Sequence, residues 1–161
     1  MNISNTIAAI STPPGEGGIA VIRISGDKAF TIVDKVFSKD KNIFKAFNIS
    51  IEQSHTIHFG YIFDSGSVID EVLISIFKEP HSYTGENVIE ISSHGGVYIS
   101  QRILKLLLGK GAVHAEPGEF TKRAFLNGRI DLAQAEAVAD LIRSKTESAH
   151  SSSIKQLEGS L

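Results

Sequence analysis

Short β-rich apolar runs, broken by glycine and proline, dominate the chain up to His94, and helical spacing takes over beyond it. Thr6 to Ser11 (TIAAIS) stops at Thr12-Pro13-Pro14-Gly15, which reads as a strand entering a rigid loop. Ile19 to Ser25 is again rich in β-branched residues and ends at Gly26, predicting a second strand. From Lys28, Phe30, Val33 and Phe37 recur at helical spacing with Ile32 and Val36 beside them, and Asp27 is placed to cap that helix. Ser38 to Ser54 is polar and lysine-rich, and reads as an irregular connection. His55 to Phe63 and Glu71 to Lys78 form a hairpin pattern around Asp64-Ser65-Gly66, and Val88 to Ser93 is one more strand with Glu90 at its centre.

After His94-Gly95-Gly96, Ile99, Ile103, Leu106 and Leu107 share one helical face until Gly109. Gly111 to Glu116 is a short extended piece. Pro117 is placed to open a helix with Phe120 and Ala124 inward, closed by Asn127-Gly128. Asp131 and Gln134 resemble a capping box ahead of an alanine-rich stretch whose Leu132, Ala135, Val138, Ala139 and Ile142 form one stripe. The helical texture weakens through Ser151-Ser152-Ser153 and resumes in IKQLEGSL. A long amphipathic helix with nothing downstream to pack on needs a partner or belongs to something longer. The fold class that follows is α+β, a mixed β-sheet with packed helices followed by a long C-terminal α-helix.

Composition narrows this picture only in places. The 161 residues suffice for one compact domain and the start of a second. The absence of cysteine excludes disulfides and thiolate metal sites. A net charge of -2 gives no general attraction to nucleic acid, so contact with RNA needs a local patch or another domain. The opening MNISNT lacks the pattern of a secretory signal and no segment reads as a membrane span, so the cytoplasm is the default expectation, with no membrane partner.

The candidate chemistry begins with Gly15, Gly17 and Ala20, which fit the spacing of a dinucleotide loop. That loop needs a helix directly after it, and here the glycines lead into a strand. No P-loop occurs, because the single Gly-Lys pair, Gly109-Lys110, is followed by glycine. His55 and His58 stand three apart on a strand and point to opposite faces, a poor zinc geometry. Ser92-Ser93-His94 carries no nucleophile elbow, and His94 reads as a turn residue or ligand neighbour. Two charges are harder to dismiss. Arg23 stands between Ile22 and Ile24, and Glu90 between Ile89 and Ile91. Each could face water, or the two could pair with one another. Arg129, in the Asn-Gly-Arg turn, could be an ordinary surface cation.

Three blocks, TIAAISTPPGEGGIAVIRISG, PHSYTGENVIEISSHGG and PGEFTKRAFLNGRIDLAQAEAVADLI, resemble in order the N-terminal region of the MnmE (TrmE) family of tRNA-modifying GTPases. The resemblance implies an α+β domain similar to the folate-binding domain of aminomethyltransferases, which binds a one-carbon tetrahydrofolate in its formyl or methylene form and makes a homodimer. It places that domain at residues 1–118 and the first segment of an α-helical domain at 119–161. It also implies that the family's folate contacts fall on Arg23, Glu90 and Arg129, and it gives this stretch no catalytic residue and no metal. The family works with the flavoprotein MnmG (GidA) on the wobble uridine of tRNA, adding a (carboxymethyl)aminomethyl group. GTP, magnesium and potassium belong to a GTPase domain whose P-loop this sequence lacks, so the chain looks like part of a longer protein. The alternatives are a free-standing folate-dependent module of the aminomethyltransferase kind, or a structural dimerisation domain.

Overall fold

The computed structural model describes residues 2–15 and 17–159. Seven strands form one mixed sheet: β1 (Ile7–Ile10), β2 (Ile19–Ser25), β3 (Phe37–Ser38), β4 (Thr56–Asp64), β5 (Ser67–Phe77), β6 (Val88–His94) and β7 (Val113–His114). Their order across the sheet is β3-β4-β5-β6-β2-β1-β7, antiparallel throughout except for the parallel β1–β7 pair. The helices are α1 (Ala29–Asp34), α2 (Val97–Gly109), α3 (Glu119–Leu126) and α4 (Leu132–Gly159). The α+β class with a mixed sheet and a long C-terminal helix is therefore as expected.

Strand alternation divides the sheet into two unlike faces. Ile22, Ile24, Ile74, Ile76, Ile89 and Ile91 point to one side and are fully buried with Phe30, Val33, Ile103 and Leu107 of α1 and α2. The intervening positions, among them Arg23 and Glu90, face the other side.

The β2–β6 register is held at both ends. Gly95 N–H donates to the Gly18 carbonyl (3.0 Å), and Gly26 N–H donates to the Asn87 carbonyl (3.0 Å). At Gly95 the chains approach so closely that a Cβ would stand 1.5 Å from the Gly17 carbonyl oxygen, so only glycine fits.

Several sequence expectations need correction. Phe37 does not belong to the helical stripe, because α1 ends at Asp34 and Phe37 pairs with Ile62 in β3, fully buried. Asp27 is not the cap. Lys28 occupies the N-cap position without a side-chain cap, and its N–H donates to Thr6 Oγ1 (2.9 Å). The connection after β3 is irregular, as expected, except for a single 3-10 turn at Ile49–Ile51, where buried Ile49 donates its N–H to Asp34 Oδ1 (2.9 Å). Strand β5 starts at Ser67, earlier than Glu71. Helix α3 begins after Gly118, which has φ 78°, rather than at Pro117. The serine triplet does not interrupt α4, which runs unbroken to Gly159, while Ser160 and Leu161 lie outside the described residues, as does Glu16 in the glycine loop. The capping box forms as expected: Gln134 N–H donates to Asp131 Oδ1 (2.7 Å) and Asp131 N–H to Gln134 Oε1 (2.8 Å).

Helix α3 is fastened to the sheet body by a buried cation. Arg123 is 2% exposed, its Nη1 donates to both oxygens of Glu86 (3.1 and 3.2 Å), and its Nη2 donates to Glu119 Oε2 and the Asn2 carbonyl (3.3 Å each). Glu86 also accepts from Ser25 Oγ (2.7 Å), whose oxygen lies 2.7 Å from Thr84 Oγ1, and Asn127 Nδ2 closes the knot by donating to the Thr84 carbonyl (2.8 Å). Replacing Arg123 by Met leaves two carboxylates facing one another without their cation. Removing one partner of a buried ion pair costs about 3–5 kcal/mol, and urea unfolding of Arg123→Met should show a loss of that size. A loss below about 1 kcal/mol, the range of an exposed pair, contradicts this assignment.

Candidate functional site

The antiparallel register sets Arg23 of β2 directly opposite Glu90 of β6. The same row continues to Ala9 on β1 and Ser75 on β5, so one acidic and one basic side chain stand at the middle of the sheet face opposite the core. Their contact is long: Arg23 Nη2 lies 3.8 Å from Glu90 Oε2, with side chains 22% and 30% exposed. This is an ion pair without a hydrogen bond, so Glu90 does have a protein neighbour, but a loose one.

The Arg23 guanidinium is held by rings rather than by acceptors. Its Cζ lies 5.0 Å from the Tyr83 ring centroid and 5.3 Å from that of Phe120. Cation–π contacts of this kind fix the plane of a guanidinium and leave its donors free. Arg23 Nε is buried and has no hydrogen-bond partner. A buried donor without an acceptor is costly, and native structures keep few of them.

Two cavities meet here. One, of about 380 Å³, is lined by Glu90, Arg129, His81, His55, Phe77 and Tyr83. The other, of about 650 Å³, is lined by Arg23, Tyr83, Phe120, Leu104, Pro117 and Ile10 among others. Arg129 is exposed, and its N–H is tied to the Ala124 carbonyl (2.8 Å) at the end of α3. The structure thus brings all three candidate residues together: Arg23 beside Glu90, and Glu90 in one cavity with Arg129. Sequence reasoning did not single out Tyr83 or His81, and it weighed His55 only as one half of a poor zinc pair with His58. The signal for Tyr83 was its position in HSYTGE, a turn-rich segment just ahead of the Glu90 strand. Phe120 was placed on an inner helical face, and its contact with Arg23 lay beyond what spacing shows. His55 has φ 64°, an uncommon conformation for a non-glycine residue, and its ring packs edge-on to Phe77 at 5.2 Å.

His94 ends β6 some way along the strand from Glu90. Its Nδ1 is 2.7 Å from Asp70 Oδ1, and its N–H donates to Asp70 Oδ2 (2.8 Å). His58, by contrast, is a packing residue beside Phe47 and Thr56, and no cluster of metal-ligating side chains occurs among the described residues. No helix among the described residues is long and apolar enough to cross a membrane.

Comparison with known proteins follows the same lines. The family described as GTP-binding protein TrmE N-terminus matches residues 6–129. The chain is 55% identical over 157 residues to a protein named tRNA modification GTPase MnmE from Listeria welshimeri, an alignment covering 98% of this chain and 33% of that protein. It is 54% identical over 160 residues to the protein of the same name from Streptococcus mutans, covering 99% of this chain and 34% of that one. The chain therefore spans about a third of the length of the curated relatives it matches.

The His94–Asp70 pair makes one prediction here. The hydrogen bond and charge of Asp70 raise the His94 pKa above its ordinary 6.5. The stabilisation from the pair is therefore complete below pH 6.5 and is lost as pH rises through the folded-state value. NMR titration of His94 should give a midpoint above 6.5, and Asp70→Asn should return it toward 6.5. An unchanged midpoint in the variant contradicts the pairing.

Proposed function

The chain belongs to the TrmE N-terminal family, and on that premise we propose that it is the one-carbon-tetrahydrofolate-binding, dimerising part of a tRNA-modification GTPase. The observation that carries the reading is the uncommitted state of the Arg23–Glu90 pair: a contact of 3.8 Å, a buried Nε without an acceptor, and cavities opening on either side. Ordinary folding would close such a pair with hydrogen bonds or place it in water.

The residues suit the group. A pterin edge presents an amino group and a ring N–H side by side, and the Glu90 carboxylate accepts both. Arg23 and Arg129 offer donor forks suited to the acidic tail or to a polarised one-carbon oxygen. Phe77 and Val88 give the Glu90 cavity apolar walls for a flat ring. Bound here, the tetrahydrofolate would supply the carbon that ends on the tRNA wobble uridine. This domain would hold and orient it, while the MnmG flavoprotein carries the redox chemistry. Ile57, Phe59 and Leu73, all exposed, lie on the same sheet face as Glu90 and offer an apolar patch for a homodimer. GTP chemistry is assigned to the remaining length of the relatives, because no part of this sequence forms a P-loop.

Calorimetric titration with formyl-tetrahydrofolate tests the assignment. Glu90→Gln sets an amide NH₂ against one of the ligand's donors and should cost about 2–3 kcal/mol, thirty- to more than a hundredfold in affinity. Arg23→Lys should be milder, since an ammonium keeps the charge and loses the fork. Melting temperatures should change little for Glu90→Gln, because the pair is partly exposed and long. A variant that binds as tightly as the wild type removes Glu90 from the site. One that melts many degrees lower makes Glu90 a structural partner of Arg23 instead.

A further inference from the structure

Among the described residues, Tyr83 alone lines both the Glu90 cavity and the Arg23 cavity. Its ring lies against the Arg23 guanidinium, and its Oη is 2.7 Å from Thr121 Oγ1 on α3. Glu90 and Arg23 touch at 3.8 Å on the sheet, yet they line different cavities, and the Tyr83 side chain forms part of the wall of each.

The segment around Tyr83 is anchored on both sides. Ser82 is 5% exposed and Thr84 is fully buried. Ser82 Oγ donates to the Glu86 carbonyl, and the Thr84 carbonyl accepts from Asn127. Tyr83 between them is 40% exposed. Backbone movement is thus opposed on both sides, while rotation of the side chain meets solvent and gives up one hydroxyl contact and one ring contact.

We propose that Tyr83 is a specificity-determining residue of this site, a latched partition whose side chain turns aside only for a ligand that must engage both cavities at once. The inference rests on the folate reading. It adds that the ligand class is one with a planar hydrogen-bonding head and an anionic tail, spanning the Glu90 and Arg23 sides together. A compact ligand that fills one cavity does not need the partition to move. In the latched state the long ligand's affinity is lowered by the fraction of molecules with the partition open. Weakening the latch therefore tightens long-ligand binding, an outcome that mere structural damage does not give.

The test uses Tyr83→Phe and Thr121→Val, each of which removes the hydroxyl contact and keeps the shape. Formyl-tetrahydrofolate should bind each variant about fivefold more tightly, the factor that one neutral hydrogen bond of ordinary strength supplies. The double variant should gain no more than either single one, because both release the same latch. A methyl-tetrahydropterin, with the ring system and no tail, should bind wild type and variants alike. Unchanged or weaker binding of the long ligand, or equal gains for both ligands, overturns the proposal. Fluorine NMR of fluorotyrosine-labelled protein without ligand separates this from failure of the folate reading. The Tyr83 resonance, assigned by its loss in Tyr83→Phe, should shift in Thr121→Val. If it shifts and no folate binds the wild type, the latch stands and the ligand assignment falls. If it does not move, there is no latch.

Discussion

The antiparallel register between β2 and β6 is the constraint on which the site depends. Side chains on a strand alternate between faces, so a slip of one residue would carry Arg23 into the isoleucine core and bring Ile22 or Ile24 out in its place. Burying a guanidinium among those isoleucines without an acceptor would cost far more than any contact it makes on the open face. Two backbone bonds close the register, from Gly95 N–H to the Gly18 carbonyl and from Gly26 N–H to the Asn87 carbonyl. The first exists only because Gly95 carries no side chain, whose Cβ would collide with the Gly17 carbonyl. The glycine loop thus serves the site by geometry and at a distance. It sets the register that aligns Arg23 with Glu90.

Given that register, the two faces of the sheet take on different work. The isoleucine face meets α1 and α2 and supplies the apolar burial that holds the fold. The opposite face is left to Arg23, Glu90 and the aromatic residues around them. Helix α3 reaches this face because Arg123 joins it to Glu86, while Glu119 one turn earlier on the same helix supports that arginine, and Phe120 then completes the ring contacts of Arg23. The buried ion network and the partly open pair are therefore linked parts of one arrangement. Both arginines bury an Nε without an acceptor, but Arg123 spends its two Nη groups on carboxylates and positions a helix. Arg23 instead lies against two rings, with only the 3.8 Å contact to Glu90 for its charge.

Much of this was legible in the sequence, for identifiable reasons. Strands β1, β2, β4 and β6 announce themselves because short β-branched runs end at glycine, proline or aspartate turns. Arg23 and Glu90 stand out because a charge inside such a run has to be accounted for. The errors share a cause, which is a long-range partner that spacing does not reveal. Phe37 sits at helical spacing from Phe30 and Val33, yet its burial comes from pairing with β4. Asp27 has the chemistry of a cap, but Thr6 from β1 reaches the N–H of Lys28. Gly118 starts α3 because its backbone is left-handed, which no neighbouring residue discloses. The tight approach of Gly95 to the glycine loop also escapes spacing, because the two lie far apart along the chain. Tyr83 went unnoticed because its meaning depends on which two cavities it separates.

The central claim is that the Arg23 guanidinium, held flat by two rings and unmatched at Nε, is kept for an acceptor on a bound folate. NMR of the guanidinium group reports on it directly, through the Nε–H resonance of Arg23 during titration with formyl-tetrahydrofolate. The account predicts that this resonance moves with the same saturation curve as the heat of binding, and that its exchange with water slows as an acceptor arrives. A folate that binds with full heat while the Arg23 Nε–H resonance stays where it was would contradict it.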